Sequence, residues 1–564
     1  MHCDVAVIGG GPAGATVGSL LRLYNPSLTV AIFEADLFPR DHVGESQLPV
    51  TPRILHEMGV WDKVEAANFP IKIGARYRWG QSDDEELWPN YFVPDGKFDD
   101  QPRPGKYVGQ RAQTAFQVDR SVYDKILLDH AREMGCQVYE QTQVSEVLHS
   151  GDRIEGLHVI SPKPDYPQSV QAHHYVDASG AGAIIRKALG VQVDSPTSLR
   201  NIAVWDYWQE AEWAETIGTG GTMVQVMSIG WGWLWFIPVS PERSSIGLVT
   251  SAAYYKKSGK TTEQLYMDAI AAEPLIRSLV VGARRESRLQ ATKDWSFVSN
   301  RMCGENWFLA GDVCGFADPI LAAGLSLAHM SARRVAYTIL ELTRRETDPA
   351  WLKAEFQRIH ARHIRNHIRF ADYWYSANAK FTDLKEYCSE IARDSGLTLE
   401  PDAAFQWLGN GGFSEEISGL PFAGTYRVGA TKAVLDKFSG KTGSWAFQTN
   451  NVFDLILDGA DLGQVAIYDE GRVLRVPCYL RDAKTLPLFG YYGLVFEALQ
   501  KEREIRCLSE RIGFQARAAG HSLGAELAQI TMEVLEAMVT EGWVSASHDP
   551  AVAMLPQRQP VTTG

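Results

Sequence analysis

Val5-Ala6-Val7-Ile8-Gly9-Gly10-Gly11-Pro12-Ala13-Gly14 decides how this chain folds. Four apolar residues run into a glycine turn, and an Ala/Val/Leu pattern at helical spacing follows, so the stretch reads as strand, tight turn and helix. Gly9 permits the turn, Gly11 lets backbone amides approach a pyrophosphate, and Gly14 lets helix and strand pack closely. Pro12 and Ala13 begin the helix, whose positive end faces the diphosphate. Such a motif gains weight from its surroundings. A second apolar strand, Leu28 to Phe33, ends in Glu34 and Ala35, and Glu34 stands twenty residues beyond Gly14, where a carboxylate can accept from both ribose hydroxyls. The fold class expected is α/β, with a Rossmann-like dinucleotide-binding domain.

The 564 residues suffice for two or three structural units. A formal charge of −13 with scattered basic residues disfavours a nucleic-acid partner, and neither a polybasic patch nor a spanning apolar run marks a membrane partner. The seven cysteines lie far apart without a C-x-x-C pair, which suits free thiols in a reducing compartment. A strand that starts within the first few residues leaves no room for a signal peptide, so a cytoplasmic location is expected.

Farther along, Phe38 to Pro49 has loop composition and contains Arg40, Gly44, Glu45 and Ser46; a helix pattern runs from Pro52 to about Ala67. Asp119 and Arg120 open an amphipathic helix ending near Met134. Val176 to Gly180 is a strand ending in small residues. Residues 201–300 alternate and are rich in Trp, Val and Ile, as in a sheet inserted to wall a substrate chamber. On its strand, Trp233-Leu234-Trp235 puts two indoles on one face. Trp307 to Ala310 leads into Gly311-Asp312, where Asp312 can meet a ribityl hydroxyl. Ala322-Ala323-Gly324 opens a long helix to about Arg345.

Beyond it the chain reads as mostly helical, with a hairpin from Val465 to Val476. His360, His363 and His367 share a helix face among arginines, which reads as a solvated or interface surface rather than a metal site, and no metal is expected. Gly520-His521-Ser522-Leu523-Gly524 matches a nucleophile elbow in letters but lacks the buried strand that the elbow needs, and Ser522 fits a helix N-cap better.

With these residues in view, residues 1–345 resemble the FAD-dependent halogenases. The glycine motif, Glu34, Arg120 and Gly311-Asp312 are shared with flavin hydroxylases at large. Gly44-Glu45-Ser46 before Leu48-Pro49, the Trp-x-Trp-x-Ile-Pro run at 233–238, and Lys72 in Phe69-Pro70-Ile71-Lys72-Ile73-Gly74 with Trp79 nearby point to halogenation. The resemblance implies FAD used as FADH2, delivered by a separate flavin reductase. It implies a C4a-hydroperoxide that oxidises chloride or bromide to hypohalous acid, and Lys72 as the catalytic residue directing that acid. Glu45, Arg120 and Asp312 would contact the flavin. Trp79, Trp233, Trp235, Pro319 and Leu321 would line the chamber, and the halide would sit by Ala323 and Gly324. In tryptophan-type members a glutamate stands where this chain has Leu321, so the resemblance points to an electron-rich aromatic or activated carbon acid, free or tethered to a carrier protein. An aromatic hydroxylase and a flavin-binding sensor are the alternatives. The domains expected are an FAD-binding core at 1–345, with the sheet inserted at about 201–300, and a mostly helical domain at 346–564.

Overall fold

The computed structural model describes residues 1–79, 88–93, 97–99, 101–197, 199–293, 296–376, 388–389, 404–405, 446–481, 484–518 and 525–555. It divides into two compact units, Met1–Leu384 with Gly409–Ser414, and Lys385–Leu408 with Glu415–Gly564.

In the first unit, His2–Ile8 lies between the parallel strands Val30–Phe33 and Ser169–Asp177 in a seven-stranded sheet. Gln137–Tyr139 and Trp307–Leu309 extend the parallel part. Both faces of the first strand are covered, which is why Val5, Ala6 and Val7 read as an unbroken apolar run. The helix Pro12–Tyr24 follows the glycine turn and packs against Gly324–Arg344 and Arg120–Glu133. One buried imidazole joins all three helices: His329 Nδ1 lies 2.8 Å from Thr16 Oγ1, and its Nε2 lies 2.8 Å from the Tyr123 hydroxyl. Burial, aided by Arg120, pushes the His329 pKa down to about 3. The neutral ring therefore offers one donor and one acceptor to its two neighbours.

The substrate-side sheet has nine strands and is not confined to residues 201–300. Asn201–Gln209, Gly221–Ser228, Gly232–Pro238 and Arg243–Ser251 form its centre, but Ile71–Arg78 pairs parallel to Gly221–Ser228 and brings Trp88–Tyr91 and Ala115–Phe116 with it. The strand that carries Lys72 thus belongs to this sheet. The helix expected from Pro52 to Ala67 is two helices, Val50–Glu57 and Trp61–Ala66, separated at Gly59, where φ is +77°.

Two further expectations change. The first unit continues past residue 345, because helix Pro349–Ser376 packs on Gly324–Arg344 and buries Phe356, Ile359, Ile364, Ile368 and Trp374. His360, His363 and His367 lie on its inward face, not a solvated one, at 1%, 2% and 6% exposure, and burial lowers all three pKa values. The described part of the second unit is mixed rather than mostly helical. It pairs Val452–Leu455 with Val544–Ser547 and builds a three-stranded sheet on the expected hairpin, Asp461–Asp469 with Arg472–Arg481. Helices Gly490–Leu499, Ile505–Ala518 and Ala525–Thr540 accompany these strands around Phe453, Leu508 and Trp543. The Gly520–Gly524 stretch lies outside the described residues.

A Cβ on Gly14 would fall 1.9 Å from the Gly9 carbonyl oxygen, whereas one on Gly11 would meet nothing closer than Arg40 Nη2 at 3.8 Å. Gly14→Ala is therefore expected to cost about 2–4 kcal/mol or abolish soluble folding, and Gly11→Ala about 0.5 kcal/mol at most. Thermal and denaturant melts of the two variants check this, and equal losses would contradict it.

Candidate functional site

The N-cap of the first helix is Gly11, and no side chain caps the turn. Its leading N–H groups are left for an anion, and the space in front is open except for the Arg40 guanidinium. Arg40 is held 3.3 Å from Asp36 and lies 4.7 Å from the Phe38 ring centroid. Glu34 is buried beside the turn; its Oε2 accepts from the Gly10 N–H at 2.6 Å and its Oε1 from the Asp36 N–H at 2.9 Å. Each oxygen keeps a second lone pair for a ribose hydroxyl. Ala35 next to it is exposed. Gly9, Gly11, Pro12, Ala13, Gly14, Glu34 and Arg40 are thus brought together, and the arrangement fits an adenosine diphosphate.

The loop at 38–49 is anchored, not a free surface loop. Arg120 is 6% exposed; its Nε and Nη2 donate to Asp124 at 2.7 and 2.9 Å, and its Nη1 to the Val43 and Gly44 carbonyls at 2.9 and 3.1 Å. Burial opposes the Arg120 charge, but Asp124, Glu45 and Asp312 outweigh it and raise its pKa. Glu45 accepts from the Tyr207 hydroxyl at 2.9 Å and from the Gly44 N–H at 3.1 Å. Burial raises its pKa against the pull of Tyr207 and Arg120. Ser46 bridges Gln117 through the backbone.

Asp312 sits on the single turn Gly311–Val313. Burial pushes its pKa up to about 6, with Arg120 pulling the other way and no hydrogen-bond donor contributing among the described residues. Its carboxyl is free for a ligand hydroxyl. Beyond it, Pro319–Leu321 forms a turn, Ala322 is left-handed at φ +55°, and Ala323 caps the long helix without a side-chain hydrogen bond. A Cβ on Gly324 would fall 2.9 Å from the Phe316 ring, so only glycine lets the helix begin there.

Lys72 is 2% exposed; its Nζ donates to the Gln47 carbonyl at 2.9 Å and lies 5.2 Å from the Phe92 ring centroid. Among the described residues no carboxylate contributes to its titration, and burial lowers its pKa to about 7. A strand irregularity sets its direction. Lys72 pairs with Thr222 but Gly74 with Met223, so Ile73 is an extra residue and the alternation shifts. Lys72 consequently shares a face with Ala75 and Tyr77 instead of with Arg76.

That face also carries both indoles, since Trp235 opposes Val226, which opposes Tyr77. Trp233 and Trp235 are buried, with ring centroids 5.9 Å apart. Trp235 lies against Gly247, where a Cβ would fall 2.1 Å from the ring, and donates to Ser245 Oγ at 3.1 Å. Trp79 is buried at the end of the lysine strand, against Trp374 and Tyr375. Lys72 and Trp235 are not neighbours: on the order of 15–20 Å of sheet separates them.

Sequence reasoning missed Tyr375. The Trp233 indole donates to its hydroxyl at 2.8 Å, and that hydroxyl donates to Asp318 at 3.2 Å, whose carboxylate also caps the turn at Ile320. One hydroxyl thereby ties the tryptophan strand to the turn leading to Ala323. Nothing in local sequence pattern signals it, because the helix that carries it follows the expected boundary at 345.

The family model described as an FAD binding domain matches residues 2–370. The 1H-pyrrole-2-carbonyl-[peptidyl-carrier protein] chlorinase of Pseudomonas fluorescens is 28% identical over 391 residues, covering 67% of this chain and 85% of that protein. The tryptophan 2-halogenase of Chondromyces crocatus is 30% identical over 380 residues, covering 67% and 68%. Among solved structures, the myxobacterial chondrochloren halogenase CndH is 26% identical with a TM-score of 0.59, covering 72% of this chain and 92% of that one. The flavin-dependent halogenase CmlS, 24% identical, shares the fold at a TM-score of 0.69 over 99% and 98% of the two chains. The match over residues 2–370 and the 30% identity to a halogenase over two thirds of both chains place the chain among the FAD-dependent halogenases.

Proposed function

We propose that this enzyme halogenates an electron-rich aromatic or acyl-activated carbon, with Lys72 as the catalytic residue that receives and directs the oxidised halogen. Bound FAD, supplied reduced by a separate flavin reductase, would react with oxygen to provide the two-electron oxidation of chloride or bromide. The first-helix amides, Arg40 and Glu34 would hold its diphosphate and ribose; Asp312 would meet the ribityl chain, and Arg120 would fix the 43–46 loop beside the ring. Amides at Ala323 and Gly324 would hold the halide. Trp233 and Trp235 would keep organic substrate apart from the flavin, with Tyr375 fixing their position.

The observation that carries this reading is Lys72, buried with no countercharge among the described residues. Deprotonated, its amine has a lone pair that can attack hypohalous acid and take up the halogen; protonated, it can donate a hydrogen bond to that acid. The pKa of about 7 makes the amine available near neutrality. Leu321 argues against free tryptophan as substrate. The carrier-protein chlorinase among the relatives supports an acceptor tethered to a carrier protein.

Lys72→Met is expected to lower halogenated product at least about 100-fold while reduced flavin is still consumed at the wild-type rate, measured with FAD, reductase, NADH, oxygen and bromide. Retained product would remove the lysine from the mechanism. The same variant should be the more stable protein. A lysine whose pKa falls from 10.5 to about 7 on folding penalises the folded state fully below pH 7. The penalty shrinks as pH rises from 7 to 10.5, so the gain from methionine, a few kcal/mol by linkage, should fade over that interval. For the wild type, product formation at saturating reduced flavin should rise with pH through about 7; a fall would favour the ammonium form. Gly11→Ala, tolerated by the fold, is expected to weaken FAD binding about 10-fold or more in a fluorescence titration, because its methyl occupies the space that the diphosphate needs.

A further inference from the structure

Near Lys72, buried polar side chains stand without partners. Both amide atoms of Gln117 and of Asn90, each residue 0% exposed, and the hydroxyl of Ser46 have no hydrogen-bond partner among the described residues. An unsatisfied buried amide costs about 1–3 kcal/mol, so several in one place call for something to bind them.

The strand register puts them together. Ser46 and Gln117 face one another across an antiparallel bridge, and their side chains share a face. Gln117 is two residues from Ala115, which opposes Lys72, so it projects to the lysine's side. Farther along the same edge of the lysine strand, the one that Gly221–Ser228 leaves open, Asn90 opposes Ala75, which the extra residue at Ile73 has brought onto the face of Lys72. Phe92, two residues on, places its ring by Nζ. The charged residues of the lysine strand, Arg76 and Arg78, fall on the other face and are paired with Glu215 and Glu273.

We propose that Gln117 and Asn90 are the specificity-determining residues of the acceptor site, binding an uncharged substrate group that offers a hydrogen-bond donor beside an acceptor, as a carboxamide or amide-linked acyl group does. A primary amide presents both a C=O and an N–H, so two of them complement such a group without a counter-ion. The substrate's ring is thereby held at Lys72 by its neutral polar substituent. Analogues lacking that substituent leave the amides unpaired and are rejected, because a site built to hydrogen-bond discriminates more strongly than an apolar one. This inference rests on the acceptor lying at Lys72.

The test compares 3-hydroxybenzamide with 3-ethylphenol as acceptors for wild type, Gln117→Met and Asn90→Leu, with FAD, reductase, NADH, oxygen and bromide. Wild type should prefer the benzamide. Each variant should lose about 10- to 100-fold in kcat/KM for it, mainly through KM, with 3-ethylphenol unchanged. Each should also melt no lower than wild type, since an unsatisfied buried amide has been removed. Parallel losses on both phenols, an unchanged ratio, or a lower melting temperature would overturn the inference. Bromination of monochlorodimedone, a small trap for hypohalous acid, separates the two levels of the argument. A wild type that brominates the trap but shows no amide preference refutes only this inference; one that brominates neither trap nor phenol refutes the function itself.

Discussion

A primary amine held out of water, with no carboxylate beside it among the described residues, is the constraint around which the first unit is arranged. Burial lowers the Lys72 pKa to about 7 and works against folding at neutral pH. A packed core has no use for such a group, and methionine or leucine would fill the volume at lower cost. An uncharged amine is what the proposed capture of hypohalous acid requires. The acceptor given to Nζ among the described residues, the Gln47 carbonyl, orients the amine without fixing a charge on it.

Several features set the direction of that nitrogen and of the sheet face that carries it. The extra residue at Ile73 turns Lys72 to the indole face, and parallel pairing with Gly221–Ser228 fixes the lysine strand in the substrate-side sheet. On the flavin side, Arg120 holds the 43–46 loop through its carbonyls, and Glu45 reaches Tyr207 on the same sheet. Tyr375 performs the equivalent task between Trp233 and Asp318. The two ends of the sheet face are thus each secured by side-chain hydrogen bonds.

What the sequence made legible was local or carried by motif. The glycine turn, Glu34 and the long helix from Gly324 announce themselves in spacing, because strand, turn and cap chemistry act over a few residues. Lys72 could be singled out by its apolar neighbours and the family motif. Its direction could not, since a strand's register depends on a partner 150 residues away. The same limit hid the recruitment of Trp88–Tyr91 and Ala115–Phe116 into a sheet expected at 201–300. The histidine face from 360 to 367 was misread for a related reason: flanking arginines look like a solvated surface, yet the helix turns those imidazoles inward. Burial is a tertiary property, and periodicity alone does not say which face of a helix is covered.

The proposed chemistry turns on one proton. Selective 13C labelling of lysine Cε, with Lys72 assigned by its methionine variant, gives the titration of that residue directly in the folded protein. A midpoint near pH 7 is the result that this account predicts. A midpoint near 10, like that of a lysine in water, would mean that the amine is charged and solvated throughout the working range, and the proposed role for Lys72 would not stand.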